Sequence, residues 1–264
     1  QKLKTYDSNS IKVLKGLTPV QKRPGMYTRT DYPNHIIQEV IDNAQDEALA
    51  GFANRIAIKM FEDGAISILD NGRGIPVDIH PEEGVSTVEV IFTRLHSGGK
   101  FAEAGEESAY SFTGGLHGVG VSVTNALSDR LEVRVFRKGY EHKLVFANGE
   151  VIEPLSKKRL PPDERDKVGT EVKAWPNGKY FDHPQINVNE LENYLKSKAV
   201  LLPEVKISFE KVNQEPIEWH YPGGISQYLE EEVGKDVEWI SPVLSMDVFH
   251  SESNGSYYKG ERFN

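Results

Sequence analysis

Asn34-His35-Ile36-Ile37-Gln38-Glu39-Val40-Ile41-Asp42-Asn43-Ala44-Gln45-Asp46-Glu47-Ala48-Leu49-Ala50-Gly51 is a segment with two unlike faces. Ile37, Val40, Ile41, Ala44 and Ala48 recur at helical spacing, Asn34 has the chemistry of an N-cap, and Gly51 is a stop signal. Glu39 and Asn43, four apart, share the other face with Asp46 and Glu47 one turn further on. Next, 55–60 and 65–69 read as strands joined by Glu62-Asp63-Gly64, with Ile66 and Ile68 on one face and Asp70 at the second strand's end. A buried helix feeding a hairpin points to an α+β fold.

Downstream, 85–95 reads as a helix. The stretch 96–113, rich in Gly, Ser and charge, is longer than an ordinary connection and reads as a lid. Gly114-Gly115-Leu116-His117-Gly118-Val119-Gly120 then opens a second buried helix over 118–127. Strands are expected at 131–137, 142–147 and 170–175, with a loop at 157–167 between the last two. A helix at 189–199 and a strand at 204–210 complete an α+β chain with a mixed sheet. Residues 1–15, polar with isolated apolar positions, read as an arm. Composition shifts at Tyr221-Pro222-Gly223-Gly224, so the expected division is arm 1–15, main domain 16–220 and the start of a second module over 221–264.

Composition narrows the chemistry. No cysteine occurs in the 264 residues, which excludes disulfides, thiolate zinc sites and cysteine nucleophiles and suits a reducing cytoplasm. No run is apolar enough for a membrane span, and the N-terminus lacks the apolar stretch of a signal peptide. The formal net charge of -9 argues against a duplex-binding surface in this segment, because phosphate neutralisation needs clustered Lys and Arg.

The polar residues form a set. Glu39 could orient a water for attack on a terminal phosphate, His35 one turn earlier could hold that carboxylate, and the Asn43 amide oxygen could ligate a Mg²⁺ already carried by phosphates. Asp70 accepts hydrogen bonds, which suits the exocyclic amine of adenine and rejects the carbonyl of guanine. Arg73 could stack on the base or pair with Glu47, and Ile75 and Pro76 could wall the base. The Thr170 hydroxyl, after Gly169, could share a water with Asp70. The glycine run before a helix exposes backbone N–H groups to an anion, and Lys100 and Tyr110 could reach phosphate from the lid. Taken singly, an acidic helix face or an Asp-Asn-Gly turn is also ordinary structure. A dinucleotide fingerprint needs a strand before the glycines, and Gly98-Gly99-Lys100-Phe101 lacks the spacing and hydroxyl of a P-loop.

In order and spacing these motifs resemble the ATPase domain shared by type II topoisomerase B subunits, histidine kinases, heat-shock chaperones and mismatch-repair ATPases. Tyr6-Asp7-Ser8, Arg23-Pro24-Gly25-Met26-Tyr27, Asp46-Glu47-Ala48-Leu49-Ala50-Gly51 and Gly115-Leu116-His117-Gly118-Val119-Gly120-Val121 are most similar to the bacterial gyrase and topoisomerase IV B subunits. Leu195-Lys196-Ser197-Lys198-Ala199-Val200-Leu201 with Pro203 resembles the topoisomerase IV type more.

The resemblance implies a two-layer α/β sandwich, mostly antiparallel, with ATP between helices and sheet under a flexible lid, followed by a transducer domain. It implies Glu39 as general base supported by His35, Asn43 as Mg²⁺ ligand and Asp70 as adenine acceptor. Gly115, Leu116, His117, Gly118, Val119, Gly120 and Val121 become the phosphate loop. Arg73, Gly74, Pro76, Arg137 and Thr170 become the adenine end, where aminocoumarin inhibitors bind in the family. Tyr6 becomes the arm residue entering a second copy's ATP site. The topoisomerase A subunit and duplex DNA are the implied partners, through the holoenzyme. Two departures stand out. Ser111 occupies a lid position where gyrase often has Lys, and the transducer lysine that touches the terminal phosphate has no counterpart here. Loss of one such electrostatic group costs ~10² to 10³ in rate, so weak turnover is expected of this segment alone.

Overall fold

The computed structural model describes residues 16–95 and 120–233. The arm with Tyr6, the stretch 96–119 with Lys100, Tyr110, Ser111 and Gly115 to Val119, and 234–264 lie outside them. Six α-helices are described, α1 (Thr18–Lys22), α2 (Asn34–Leu49), α3 (Thr87–Thr93), α4 (Gly120–Ala126), α5 (Val188–Leu201) and α6 (Gly224–Val233). The strands are β1 (Arg55–Met60), β2 (Ile66–Asp70), β3 (Ser128–Arg137), β4 (Tyr140–Ala147), β5 (Glu150–Arg159), β6 (Gly169–Pro176), β7 (Lys206–Glu210) and β8 (Ile217–Trp219). They form one sheet in the order β5-β4-β3-β6-β2-β1-β7-β8, parallel only between β1 and β7. The mixed, mostly antiparallel sheet expected of the chain is present.

Strand alternation builds the core. Register aligns Ile58 with Ile68, Ile68 with Val172, Val172 with Val133, and Val133 with Leu144, so one apolar row crosses five strands. All of these side chains are buried. On that face α2 packs on β1, β2 and β6, α4 on β3 and β6, and α5 on β7. Each fully buried Ile, Leu or Phe contributes roughly 1.5–3 kcal/mol. The opposite face carries ion pairs instead, among them Lys59–Glu210, Lys143–Glu132 and Arg134–Glu171. Among the described residues no helix is long and apolar enough to cross a membrane.

Two expectations need correcting. Asn34 does not cap α2, since Pro33 holds that position. Asn34 is buried, and its amide donates to the Asn187 carbonyl and accepts the Asn187 N–H, each at 2.8 Å, while Asn187 caps α5. Tertiary contact thus claims a side chain that helix chemistry alone would place at the end. The loop expected at 157–167 starts later, because β5 runs to Arg159. This edge strand has no buried row, only half-buried Val151 and Leu155, so alternation could not reveal it. Nor did the pattern reveal α1, α6 or β8. Trp219 and Tyr221 pack in the core, and α6 lies on α5.

Candidate active site

α2 delivers the acidic face. His35 Nδ1 lies 2.7 Å from the Thr28 hydroxyl, and Nε2 lies 4.0 Å from Glu39 Oε1. Either the Thr28 hydroxyl donates to Nδ1 or an Nδ1–H donates to Thr28, and only in the first tautomer does the ring hydrogen sit on Nε2, the nitrogen turned toward Glu39. Burial, then the Arg29 charge, hold the His35 pKa below its ordinary value, so the ring is neutral at pH 7. His35 therefore neighbours Glu39 beyond direct hydrogen-bond reach, and the hydrogen bond that orients it belongs to Thr28. Nothing in the sequence singled Thr28 out.

Glu39 reaches α4. A side chain at Gly120 would put its Cβ 1.9 Å from Glu39 Oε2, so only glycine admits the carboxylate there. The Thr124 hydroxyl donates to the carbonyl of Ile36 at 2.7 Å and ties the two helices together. The exposed Asn43 side chain lies one turn beyond Glu39. Asp46 is at 3% exposure, beneath the accessible face rather than on it. Val121 is also buried, as part of the apolar core. Behind Asn43, the Tyr194 hydroxyl donates to Asp42 at 2.5 Å and Lys198 pairs with it at 2.9 Å, clamping α2 to α5.

β2 delivers the second acid. Period-two alternation puts Asp70 on the helix-facing side with Ile66 and Ile68, at 7% exposure. The Gly72 N–H donates to Asp70 Oδ1 at 2.8 Å, and the Thr170 N–H also serves this carboxyl. Burial raises the Asp70 pKa to about 6, helped by the Glu47 charge and opposed by the two backbone N–H groups. Glu47 accepts three hydrogen bonds from Arg73, from its backbone N–H, Nε and Nη2 at 3.0, 3.1 and 2.8 Å. Of the two roles read for Arg73 the structure shows this pairing, and it adds a stack on Phe52, guanidinium to ring centre 3.7 Å. Phe52 carried no signal of its own.

The far side is held from β3 and β6. Arg137 Nη1 donates to the carbonyls of Gly74 and Ile75 at 3.4 and 3.1 Å. The Thr170 hydroxyl accepts the Ile75 N–H at 3.2 Å. Pro76 follows, exposed. Gly169 has φ +130°, and a Cβ there would lie 2.0 Å from the Asp70 carbonyl oxygen, so the close approach of β6 to β2 requires glycine. The structure thus gathers Asp70, Gly74, Ile75, Arg137 and Thr170 at one end of α2, near Glu47 and Arg73, and puts Glu39 and Gly120 two turns away.

The profile of the family described as histidine kinase-, DNA gyrase B-, and HSP90-like ATPase matches residues 29–177. The chain belongs to this family. The match to this ATPase family takes in Glu39, Asn43, Asp70, Gly120 and Thr170. Among individual relatives, the B subunit of DNA topoisomerase 4 from Pseudomonas aeruginosa is 49% identical over 238 residues, covering 88% of this chain and 36% of that protein. The chain thus spans about a third of that relative's length. The ATP-binding domain of Francisella tularensis topoisomerase IV, solved with a small-molecule inhibitor, aligns with TM-score 0.71 at 44% identity, over 84% of this chain and 58% of that one. The 43K ATPase domain of Thermus thermophilus gyrase B, solved with an aminocoumarin, aligns with TM-score 0.73 at 36% identity, over 86% and 57%. The α+β ATPase fold expected from the sequence is the fold these comparisons show.

Proposed function

We propose that this chain binds and hydrolyses ATP as the energy-coupling part of a bacterial type II DNA topoisomerase of the topoisomerase IV type. One observation carries the reading. Glu39 and Glu47 lie two turns apart on α2, about 12 Å along the axis, with Glu39 against Gly120 at one end and Asp70 beside Glu47 at the other. That separation suits one extended nucleotide, base at Asp70 and terminal phosphate at Glu39. Asp70, ionised above pH 6, accepts the adenine amine, and the Arg137 and Thr170 bonds hold the Gly74-Ile75 wall in place. Glu39 accepts a proton from water as the water oxygen attacks the terminal phosphorus, and ADP leaves. His35, 4.0 Å from Glu39, is the neighbouring group proposed to support that carboxylate, without a direct hydrogen bond in this arrangement.

Among the described residues no group of three or more His, Cys, Asp or Glu side chains is placed to hold a metal. A single amide oxygen at Asn43 fits a Mg²⁺ that arrives on the phosphates rather than a resident ion. When bound, Mg²⁺ supplies charge neutralisation at the triphosphate. In the whole enzyme, the proposed partners are a second copy meeting this one through Tyr6, the topoisomerase A subunit and duplex DNA, in the cytoplasm. Lys100, Tyr110, Gly115, Leu116, His117, Gly118 and Val119 complete the proposed phosphate contacts. Aminocoumarins are proposed to share the Asp70 end.

The test is Glu39→Ala in the full-length protein. Hydrolysis falls by ~10² to 10⁴ while affinity for a non-hydrolysable ATP analogue changes little, because a base acts in the transition state. Undiminished turnover would remove Glu39 from this role, and an unmutated full-length protein with no turnover would leave a nucleotide switch.

A further inference from the structure

The helix-facing rows of β3, β4 and β5 change character toward the turn at Lys138. Register pairs Val135 with His142, Arg137 with Tyr140, and His142 with Lys157, so Arg137, Tyr140, His142 and Lys157 emerge on one face. With Lys138 from the turn and Val77 and Asp78 from the segment after β2, they line a cavity of about 220 Å³. Three cations meet one acid there. Among the described residues, Arg137, Lys138 and Lys157 form no ion pair, although ion pairs are plentiful on the sheet's other face. Arg137 is anchored by its bonds to Gly74 and Ile75, and Lys157 Nζ lies 4.1 Å from the Tyr140 ring centre. Arg137 is half-buried and Lys138 and Lys157 stand exposed at the rim, so the cations line one concave place over the buried His142, where a multiply charged anion gains charge-assisted hydrogen bonds.

We propose that this cavity is an oxyanion site for one phosphate group, either inorganic phosphate or the phosphoryl end of a small monoester, adjoining the base end of the nucleotide pocket and sharing Arg137 with it. The volume admits a phosphate with a few waters. The lining cations come from three places in the fold, Arg137 from β3, Lys138 from the turn and Lys157 from β5, so an anion with oxygens pointing in several directions can meet more than one of them. His142, at 9% exposure, faces Arg137 on β3, Lys138 in the turn, Tyr140 on β4, Lys157 on β5 and Asp78. Burial first, then Lys157 and Arg137, lower its pKa, against Asp78. A bound phosphate offsets those cations, so occupancy raises the His142 pKa.

The experiment is side-chain NMR of the His142 ring, assigned with His142→Gln, in the intact chain kept saturated with ADP and Mg²⁺. Inorganic phosphate, glycerol phosphate and acetate are titrated at constant ionic strength. A saturable His142 shift with either phosphate, weakened about tenfold by Lys157→Gln or Lys138→Gln and untouched by the distant Lys206→Gln, supports the site. Whichever phosphate binds tighter identifies the source. A shift that never saturates, equal binding of acetate, or binding indifferent to Lys157→Gln and Lys138→Gln overturns it. Because the nucleotide pocket stays filled, the result is independent of the role assigned to Glu39.

Discussion

Asp70 titrates near pH 4 in an unfolded chain and near 6 in the fold, where burial dominates. A raised folded pKa means that protonation favours the folded state, so this contribution is complete below about pH 4 and is lost as pH rises through 6. At pH 7.5 the buried charge costs the unliganded fold up to about 3 kcal/mol. Asp70→Asn keeps an acceptor for the Gly72 N–H and removes the charge. The variant is expected to melt higher than the parent at pH 7.5, with the gain shrinking toward pH 4, by calorimetry at both values. No gain at pH 7.5 would mean that desolvation is not what raises this group. In the full-length protein the same change should weaken ATP and aminocoumarin together, since one charged acceptor serves both, and parent affinity for ATP should fall below about pH 6 as the acceptor is neutralised. Loss of one ligand alone would refute the shared anchor.

At the scale of elements, α2 is the part that everything else positions. α4 approaches it closely enough for Glu39 to occupy the space a Gly120 side chain would need. Gly120→Ala improves local helix propensity yet displaces the carboxylate, and misplacement by about 1 Å costs on the order of 10² in rate. The expectation is a full-length protein whose fold and melting temperature are retained and whose ATP turnover collapses. Turnover within twofold of the parent would show that Glu39 has another place to work from. The other anchor of α2 is Asn34, buried against the start of α5. Asn34→Ala strands the Asn187 N–H, while the Asn187 carbonyl keeps the Leu191 N–H at 3.0 Å, and is expected to cost about 2 kcal/mol, read as a lower urea midpoint at unchanged slope. An unchanged midpoint would place the α2–α5 register elsewhere, for instance in the Asp42 clamp of Tyr194 and Lys198.

At the scale of the whole molecule, the proposed output is association of two copies on nucleotide binding. The full-length protein is expected to dimerise with a non-hydrolysable ATP analogue in analytical ultracentrifugation, and Tyr6→Ala to weaken that dimer by about tenfold or more, as loss of an aromatic anchor does. A monomer with saturating analogue would separate nucleotide binding from dimer closure. Much of this architecture was legible in the chain itself. The 3.6-residue period of 34–50 and the two-residue period of 65–70 identify α2 and β2, and they place Glu39 and Asn43 on one helix face and Asp70 at a strand end. Backbone geometry and burial act over a few residues, so their periods survive in the sequence. Edge strand β5, the capture of Asn34 by Asn187, the burial of Asp46, and the support from Thr28 and Phe52 carried no such period. Only the tertiary structure inserts β6 between β3 and β2, setting Thr170 beside Asp70 and bringing Arg137 over the Gly74-Ile75 carbonyls. It alone decides that Asp70 is desolvated enough to titrate near neutrality, because strand order and the local dielectric depend on segments far apart in the chain.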